Sequence, residues 1–253
     1  MNIATQKIRL DKLLVDRGIA PTLERARALI LARAVKVNEV YLDKAGAPVG
    51  VDSEIHIKGE DNAYVSRGGL KLEEALKEFN LNVKGVVALD VGASTGGFTD
   101  CLLQAGTRKV YALDVGYGQL AWKLREDKRV VVIERTNIRY YEGVDFDEQI
   151  DLAVIDVSFI SLKIVLPAVL KFLGDEAQIL ALIKPQFEVA REEVGKHGLV
   201  QDPAIHDRVV QDISEFCQSL NLEVEGTCAS PILGPAGNRE FFILARKKEQ
   251  NGN

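Results

Sequence analysis

Cysteine is scarce in this 253-residue chain, with Cys101, Cys217 and Cys228 the whole complement. The number is odd and no two stand in a C-x-x-C pair, which argues against a disulfide framework and for a reducing, cytoplasmic setting. Histidine is as sparse. His56, His197 and His206 are scattered without ligand spacing, so no metal site is expected. No apolar run approaches the roughly 18 residues that span a bilayer, and Met1 to Leu10 has no apolar signal core. The expectation is a protein that is neither secreted by a signal peptide nor embedded in a membrane. Net positive charge is also missing. A formal charge of −5 excludes a uniformly basic nucleic-acid binder but leaves room for a local basic face. Nothing demands more than a monomer.

What is present is enough apolar residue, 47%, to build one large domain and a small one. The small one is expected at residues 1–59. Leu10, Leu13 and Leu14 share a helical face between Ile8 and Arg17, and Gly18 stops that helix. Pro21-Thr22 opens a second helix with Thr22 as N-cap, and Leu23, Ala26, Leu29 and Ile30 line its apolar side. Val35 to Glu39 reads as a short strand into a turn. From Lys7 to Lys44 nine basic residues oppose five acids, a local excess of about +4 in an acidic chain. Such polarity suits a phosphate backbone, although a solvated helix face carries the same mark. The order Arg9-Leu10-Asp11-Lys12-Leu13-Leu14, Arg25-Ala26-Arg27-Ala28-Leu29-Ile30, Val35-Lys36-Val37-Asn38 resembles the S-four-type RNA-binding domain. The resemblance implies that Arg9, Lys12, Arg25, Arg27, Arg33 and Lys36 face structured RNA.

A connector is expected at 60–69 and the large domain at 70–253, with a disordered tail after Arg246. Val86 to Val91 is a continuous apolar run that ends beside an acid, Asp90, and feeds the turn Gly92-Ala93-Ser94-Thr95-Gly96-Gly97-Phe98-Thr99. A buried parallel strand, a glycine-rich turn and a helix begin a Rossmann-like fold. Six more strands follow: Lys109–Val115, Val130–Glu134, Asp151–Asp156, Gln178–Lys184, Leu222–Cys228 and Glu240–Arg246. Helices such as Leu162–Phe172 and Pro203–Leu220 separate most of them. The last two strands lack a helix between them, which predicts an antiparallel hairpin at one edge. The fold class is therefore α/β, a seven-stranded Rossmann-like domain behind a small α+β domain. Asp114 stands 24 positions after Asp90 at a strand end, where an acid holds ribose hydroxyls. The turn G-A-S-T-G-G departs from the G-x-G-x-x-G of a dehydrogenase, which favours S-adenosylmethionine over a nicotinamide cofactor. On that reading Asp90 and the turn Gly92, Ala93, Ser94, Thr95, Gly96, Gly97 and Phe98 surround its amino-acid end. Asp114 binds the ribose and Asn137 lies near the adenine.

Four further polar residues sit at element ends: Lys71, Asp156, Lys184 and Glu240. Ligands of open α/β sheets bind at the carboxyl edge. Asp156 and Lys184 belong there directly, Asp156 also facing the cofactor, and Glu240 joins them if the last strand is antiparallel. Each alone is most often merely solvated. Together they resemble the FtsJ-like ribose 2′-O-methyltransferases, whose catalytic set is Lys-Asp-Lys-Glu in this chain order. The motifs Tyr64–Leu72, Asp90–Thr99, Ile155–Ser161 and Leu182–Glu188, with the S-four-type domain in front, are similar to the TlyA family of ribosomal RNA methyltransferases. The resemblance implies methylation of a ribose 2′-hydroxyl, at cytidine, in ribosomal RNA of one or both subunits. Lys184 would accept or orient the hydroxyl proton, with Lys71 as a like-charged neighbour and Asp156 and Glu240 holding it. The chain departs from the family at His197, where a small residue is expected. The loop Phe187 to Gln201 is a possible cover for substrate.

Two rivals remain at this point. A membrane-active haemolysin, a name this family has carried, would need an exposed amphipathic segment. The best candidate, Ile164 to Leu173, is short and interrupted by Pro167. The other rival is an RNA-binding protein with an inactive methyltransferase domain, against which the intact Asp90, Asp114, Asp156 and Lys184 argue.

Overall fold

The computed structural model describes residues 7–20, 22–57 and 63–248. The chain divides into two units at Ala63/Tyr64. In the first unit β1 (Lys7–Arg9), α1 (Leu10–Asp16), α2 (Leu23–Leu31), β2 (Val35–Val37), β3 (Val40–Tyr41), β4 (Pro48–Gly50) and β5 (Ile55–Ile57) follow in order. Leu10, Leu13 and Leu14 of α1 and Ala26 and Ile30 of α2 share one core with Val35, Val37 and Val49. The first helix begins two residues later than its spacing predicts. Lys7–Arg9 is instead a strand antiparallel to β4, a long-range partner that local periodicity does not show. Thr22 caps α2 as expected, its Oγ1 accepting the Arg25 N–H at 3.2 Å; Pro21 lies outside the described residues. Leu23, placed on the apolar line, is 41% exposed at the helix end.

The second unit contains α3 (Gly68–Glu78), β6 (Val87–Val91), α4 (Gly97–Gln104), β7 (Lys109–Leu113), α5 (Trp122–Arg125), β8 (Val130–Ile133), β9 (Ile150–Ile155), α6 (Leu162–Val169), β10 (Leu173–Ile183), α7 (Pro185–Glu188), α8 (Pro203–Ser219), β11 (Leu222–Ala229) and β12 (Phe241–Lys247). The sheet order is β11-β12-β10-β9-β6-β7-β8. Five strands are parallel, and β12 slots antiparallel between β10 and β11. All seven predicted strands and the antiparallel edge are present. Alternate strand residues feed two cores. Val87, Leu89 and Val91 join the cluster that contains Val165 and Val169 of α6 and Ile213 of α8. Ala88, Val110 and Ala112 join the one that contains Leu72 of α3 and Leu102 of α4. Helices thus cover both faces, as parallel sheets require.

Three expectations change. Residues Tyr64–Gly69, read as connector, belong to the second unit. The Val65 N–H donates to Asp100 at 2.8 Å, and a side chain at Gly69 would run into the Tyr64 ring; residues 60–62 lie outside the described set. The tail starts later than expected, since Lys247 is still in β12 and its Nζ donates to the Leu173 carbonyl at 2.8 Å; residues 249–253 lie outside the described set. The segment Ile164–Leu173 is not a free amphipathic face, because Val165, Leu166, Val169 and Leu173 are buried against the sheet.

Candidate active site

The sheet assembles the four polar residues through register. Val91, Ile155 and Ala181 are level across β6, β9 and β10, so Asp156 is the first residue beyond β9. Ile183 lies opposite Phe241 in the antiparallel pair. One step outward on each strand brings Lys184 and Glu240 to the same edge. Lys71 enters from the first turn of α3. Its Nζ is 2.5 Å from Glu240 Oε2, and Lys184 Nζ is 2.5 Å from Asp156 Oδ1. Lys184 Nζ also donates to Ser158 Oγ at 3.0 Å. Lys71, Lys184 and Glu240 are buried, which charged groups tolerate when paired. The structure thus forms two ion pairs. Glu240 is the partner of Lys71, not a second carboxylate on Lys184 as the sequence reading had it. The Lys184–Asp156 contact is close without hydrogen-bond alignment.

Three connected spaces surround this set, all lined by Gly92, Ser94 and Asp156. One of about 520 Å³ reaches Asp114 and Asn137. One of about 230 Å³ reaches Lys71, Ala93, Thr95, Gly97 and Phe98. One of about 530 Å³ holds Lys71, Lys184 and Glu240. Asp114 is fixed by the N–H groups of Ser94 and Gly116, at 2.8 and 2.6 Å. Each of its oxygens keeps capacity for a ribose hydroxyl. With Asp114 and Asp156 on the walls, the first two spaces fit a cationic ligand that carries a ribose, as S-adenosylmethionine does.

Two residues assigned to the cofactor do not line these spaces. Gly96 takes φ +96° to turn the chain into α4. Asp90 is fully buried behind the turn, where Thr99 Oγ1 donates to its Oδ2 at 2.6 Å and its Oδ1 has no hydrogen-bond partner among the described residues. Burial pushes the Asp90 carboxyl up to about 7 against the lowering effect of Thr99, and the charges of Asp156 and Asp114 push the same way. The fold therefore holds this proton more tightly than the unfolded chain does. Stability is greatest below about pH 4 on this account and falls as pH rises towards about 7, by at most about 4 kcal/mol. Asp90→Asn is expected to flatten the dependence of Tm on pH between about 5 and 7 in the ligand-free protein; an unchanged slope would assign it to other groups.

Several lining residues escaped the sequence reading. Gln119 lines the Asp114 space. Ser158 and Phe159 lie two and three residues past Asp156, and Phe159 is 90% exposed at φ +64°, its ring 5.1 Å from that of Phe187. A polar and an aromatic residue just past a strand-end acid were the available signal. Asn238 also lines the space around Lys184, as does His197 of the loop expected to cover substrate.

In the first unit, Arg9 and Arg27 both engage the buried carboxylate of Asp11, at 2.8 and 3.2 Å, and the Arg9 guanidinium holds it down at about 2. Arg33 pairs with Asp43 and Lys36 with Glu39, at 2.9 and 2.5 Å. Lys12 and Arg25 are exposed with no ion-pair partner among the described residues. The six predicted cations thus divide into four that are already paired and two that are not.

Comparison with known proteins finds a family for each unit. Residues 64–247 match the FtsJ-like methyltransferase family and residues 8–55 match the S4 domain. A Bacillus subtilis (strain 168) protein, YqxC, described as a candidate rRNA methyltransferase, is 50% identical over 95% of this chain and 86% of its own. The 16S/23S rRNA (cytidine-2′-O)-methyltransferase TlyA of Mycobacterium tuberculosis (strain H37Rv) is 43% identical over 95% of this chain and 90% of its own. A solved structure from Streptococcus thermophilus, described as a candidate hemolysin, is 46% identical, with a TM-score of 0.75 over 97% of this chain and 90% of that one.

Proposed function

The chain belongs to the FtsJ-like methyltransferase family, and from that premise we propose that it moves the methyl group of S-adenosylmethionine to the ribose 2′-hydroxyl of a cytidine in ribosomal RNA. The observation that carries the reading is the Lys184–Asp156 ion pair, with Asp156 on the walls of both the ribose-suited space and the one around Lys184. S-adenosylmethionine supplies an activated sulfonium methyl. What the protein has to add is position and a destination for the hydroxyl proton. Asp114 holds the cofactor ribose. Lys71, tied to Glu240, forms a fixed wall. Ser158 Oγ holds Lys184 Nζ by a hydrogen bond and Asp156 stands beside it as the counter-charge, which leaves room on Nζ for the substrate oxygen. In its neutral form the amine would take the 2′-hydroxyl proton as the methyl passes from sulfur to the ribose oxygen and leaves a neutral thioether, and Asp156 would stabilise the ammonium that results.

Recognition of the RNA is assigned to the first unit. Lys12 and Arg25, exposed and unpaired by acids, are its primary phosphate contacts, while Arg9 and Arg27 keep about half their surface exposed beside Asp11. The hemolysin name in the comparisons has less support. Among the described residues no helix is long and apolar enough to cross a membrane, and the apolar α6 is packed into the core.

The test is transfer of labelled methyl from S-adenosylmethionine to purified small and large ribosomal subunits from an unmodified strain. Label in RNA 2′-O-methylcytidine is expected with the wild type. Lys12→Glu/Arg25→Glu is expected to need a higher subunit concentration and to show a salt slope about two units shallower. An unchanged slope would remove these two residues from the RNA face; no label on either subunit would defeat the main reading.

A further inference from the structure

Asn238 lies two residues before Glu240, and its side chain is buried. Its amide reaches a distant part of the chain. Oδ1 accepts the Val200 N–H at 2.9 Å and Nδ2 donates to the Gly198 carbonyl at 2.8 Å. The Val200 carbonyl is engaged in turn by His206 Nε2 at 2.7 Å, so both polar groups of the Val200 backbone are fixed. The Asn238 carbonyl accepts the Gly234 N–H at 2.9 Å and closes a turn that brings Pro235 and Ala236 over the Lys184 space. One buried side chain therefore ties two walls of that space together, the 234–238 turn and the 194–200 segment. The second wall carries His197 at φ +61°, ψ 19°. Glycine adopts that conformation without strain, whereas a histidine there carries a modest backbone cost. His197 nevertheless lines the space that holds Lys184, Asp156 and Phe187. A strained side chain kept on a cavity wall calls for a use there.

We propose that Asn238 is a positioning residue that fixes the 194–200 segment as a wall of the substrate cavity, and that His197, set by it, contacts the target nucleotide. The inference rests on the methyltransferase reading above. It assigns to this chain a nucleotide contact, through an imidazole donor or ring face, suited to an unstacked ribonucleotide. The core has no need of Asn238: its side-chain bonds both go to this segment, and the Asp114 space does not include it.

His197→Gly provides the decisive variant because it relieves the left-handed strain and keeps the fold. It is expected to hold or raise Tm, to raise KM for the ribosomal subunit about tenfold, and to leave kcat and S-adenosylmethionine Kd unchanged. Asn238→Ala is expected to raise the same KM at least as much, again with cofactor Kd unchanged. The double variant is expected to be no worse than Asn238→Ala alone, since the second change removes a contact already lost. If Asn238→Ala does not fold, Asn238→Asp keeps the acceptor for Val200 and is expected to give a smaller KM rise. A wild-type KM in His197→Gly, additive effects in the double variant, or a cofactor Kd that shifts along with KM would each overturn the proposal. If wild type labels no RNA, the methyltransferase reading fails and takes this one with it; an active wild type with an indifferent His197→Gly defeats this inference alone.

Discussion

Replacing Lys184 by alanine is expected to slow methyl transfer by about 10²–10⁴-fold, the range lost with a positioned acid or base, while S-adenosylmethionine affinity changes little. The separation follows from placement. Lys184 lines the space that also holds Lys71 and Glu240, and it does not line the space around Asp114 and Asn137. A structural cost accompanies the change, since Asp156 loses its cation. Asp156 keeps contact with solvent, its side chain 22% exposed, so that cost stays well below the several kcal/mol of a fully buried orphan charge. Lys184→Arg sharpens the test. Arginine restores the partner for Asp156 but does not release a proton near neutral pH. If Lys184 takes the hydroxyl proton, Lys184→Arg is as slow as Lys184→Ala although more stable. If Lys184 serves as a fixed charge, Lys184→Arg recovers most of the rate. Single-turnover methylation of ribosomal subunits at saturating cofactor, with cofactor Kd measured by calorimetry, separates these results.

Legibility in the sequence followed the range of the interactions concerned. The central strands of the large sheet were readable because they are buried on both faces and therefore largely apolar, while the edge strand β11 shows the alternating pattern of a half-exposed strand. Asp114, Asp156 and Lys184 were readable because a polar residue directly after such a run has few structural reasons to be there. The first helix started late because β1 is defined by its pairing with Pro48–Gly50, which local spacing does not encode. The pairing of charges was equally hidden. Which carboxylate holds which lysine depends on the register Ile183↔Phe241 and on the entry angle of α3, and Glu240 went to Lys71. Asp90 reads as a ligand by its position after an apolar run, yet it sits one layer behind the turn with Thr99. Basic residues are countable in a sequence, but acids neutralise them through space, and Asp11 alone engages two of the six predicted RNA contacts. Asn238 looks like an ordinary turn residue, since its partners Gly198 and Val200 are far away in sequence.

The glycine at the centre of the site yields the second large effect. Gly92→Ala is expected to lower stability by about 2–4 kcal/mol and, in the fraction that folds, to slow methyl transfer by about 10²-fold. Gly92 has φ +89°, and a Cβ there would stand 2.5 Å from the Asp156 carbonyl oxygen and 3.0 Å from its carbon. The obstacle is backbone, so it cannot swing aside as a flexible side chain would. Relief requires the end of β9 to move away from β6, and Asp156 moves with it. The change therefore reaches the partner of Lys184 without touching Lys184, and it narrows the space shared with Asp114. Gly85→Ala isolates the two components. Gly85 has a similar φ of +78° with nothing within 4 Å of its Cβ position, so it incurs the left-handed strain alone, about 1 kcal/mol, and leaves transfer untouched. A Tm for Gly92→Ala several degrees below that of Gly85→Ala, together with weaker cofactor binding, is the expected pattern. Equal Tm values and equal rates in the two variants would mean that the close approach of Gly92 to Asp156 has no part in holding the site together.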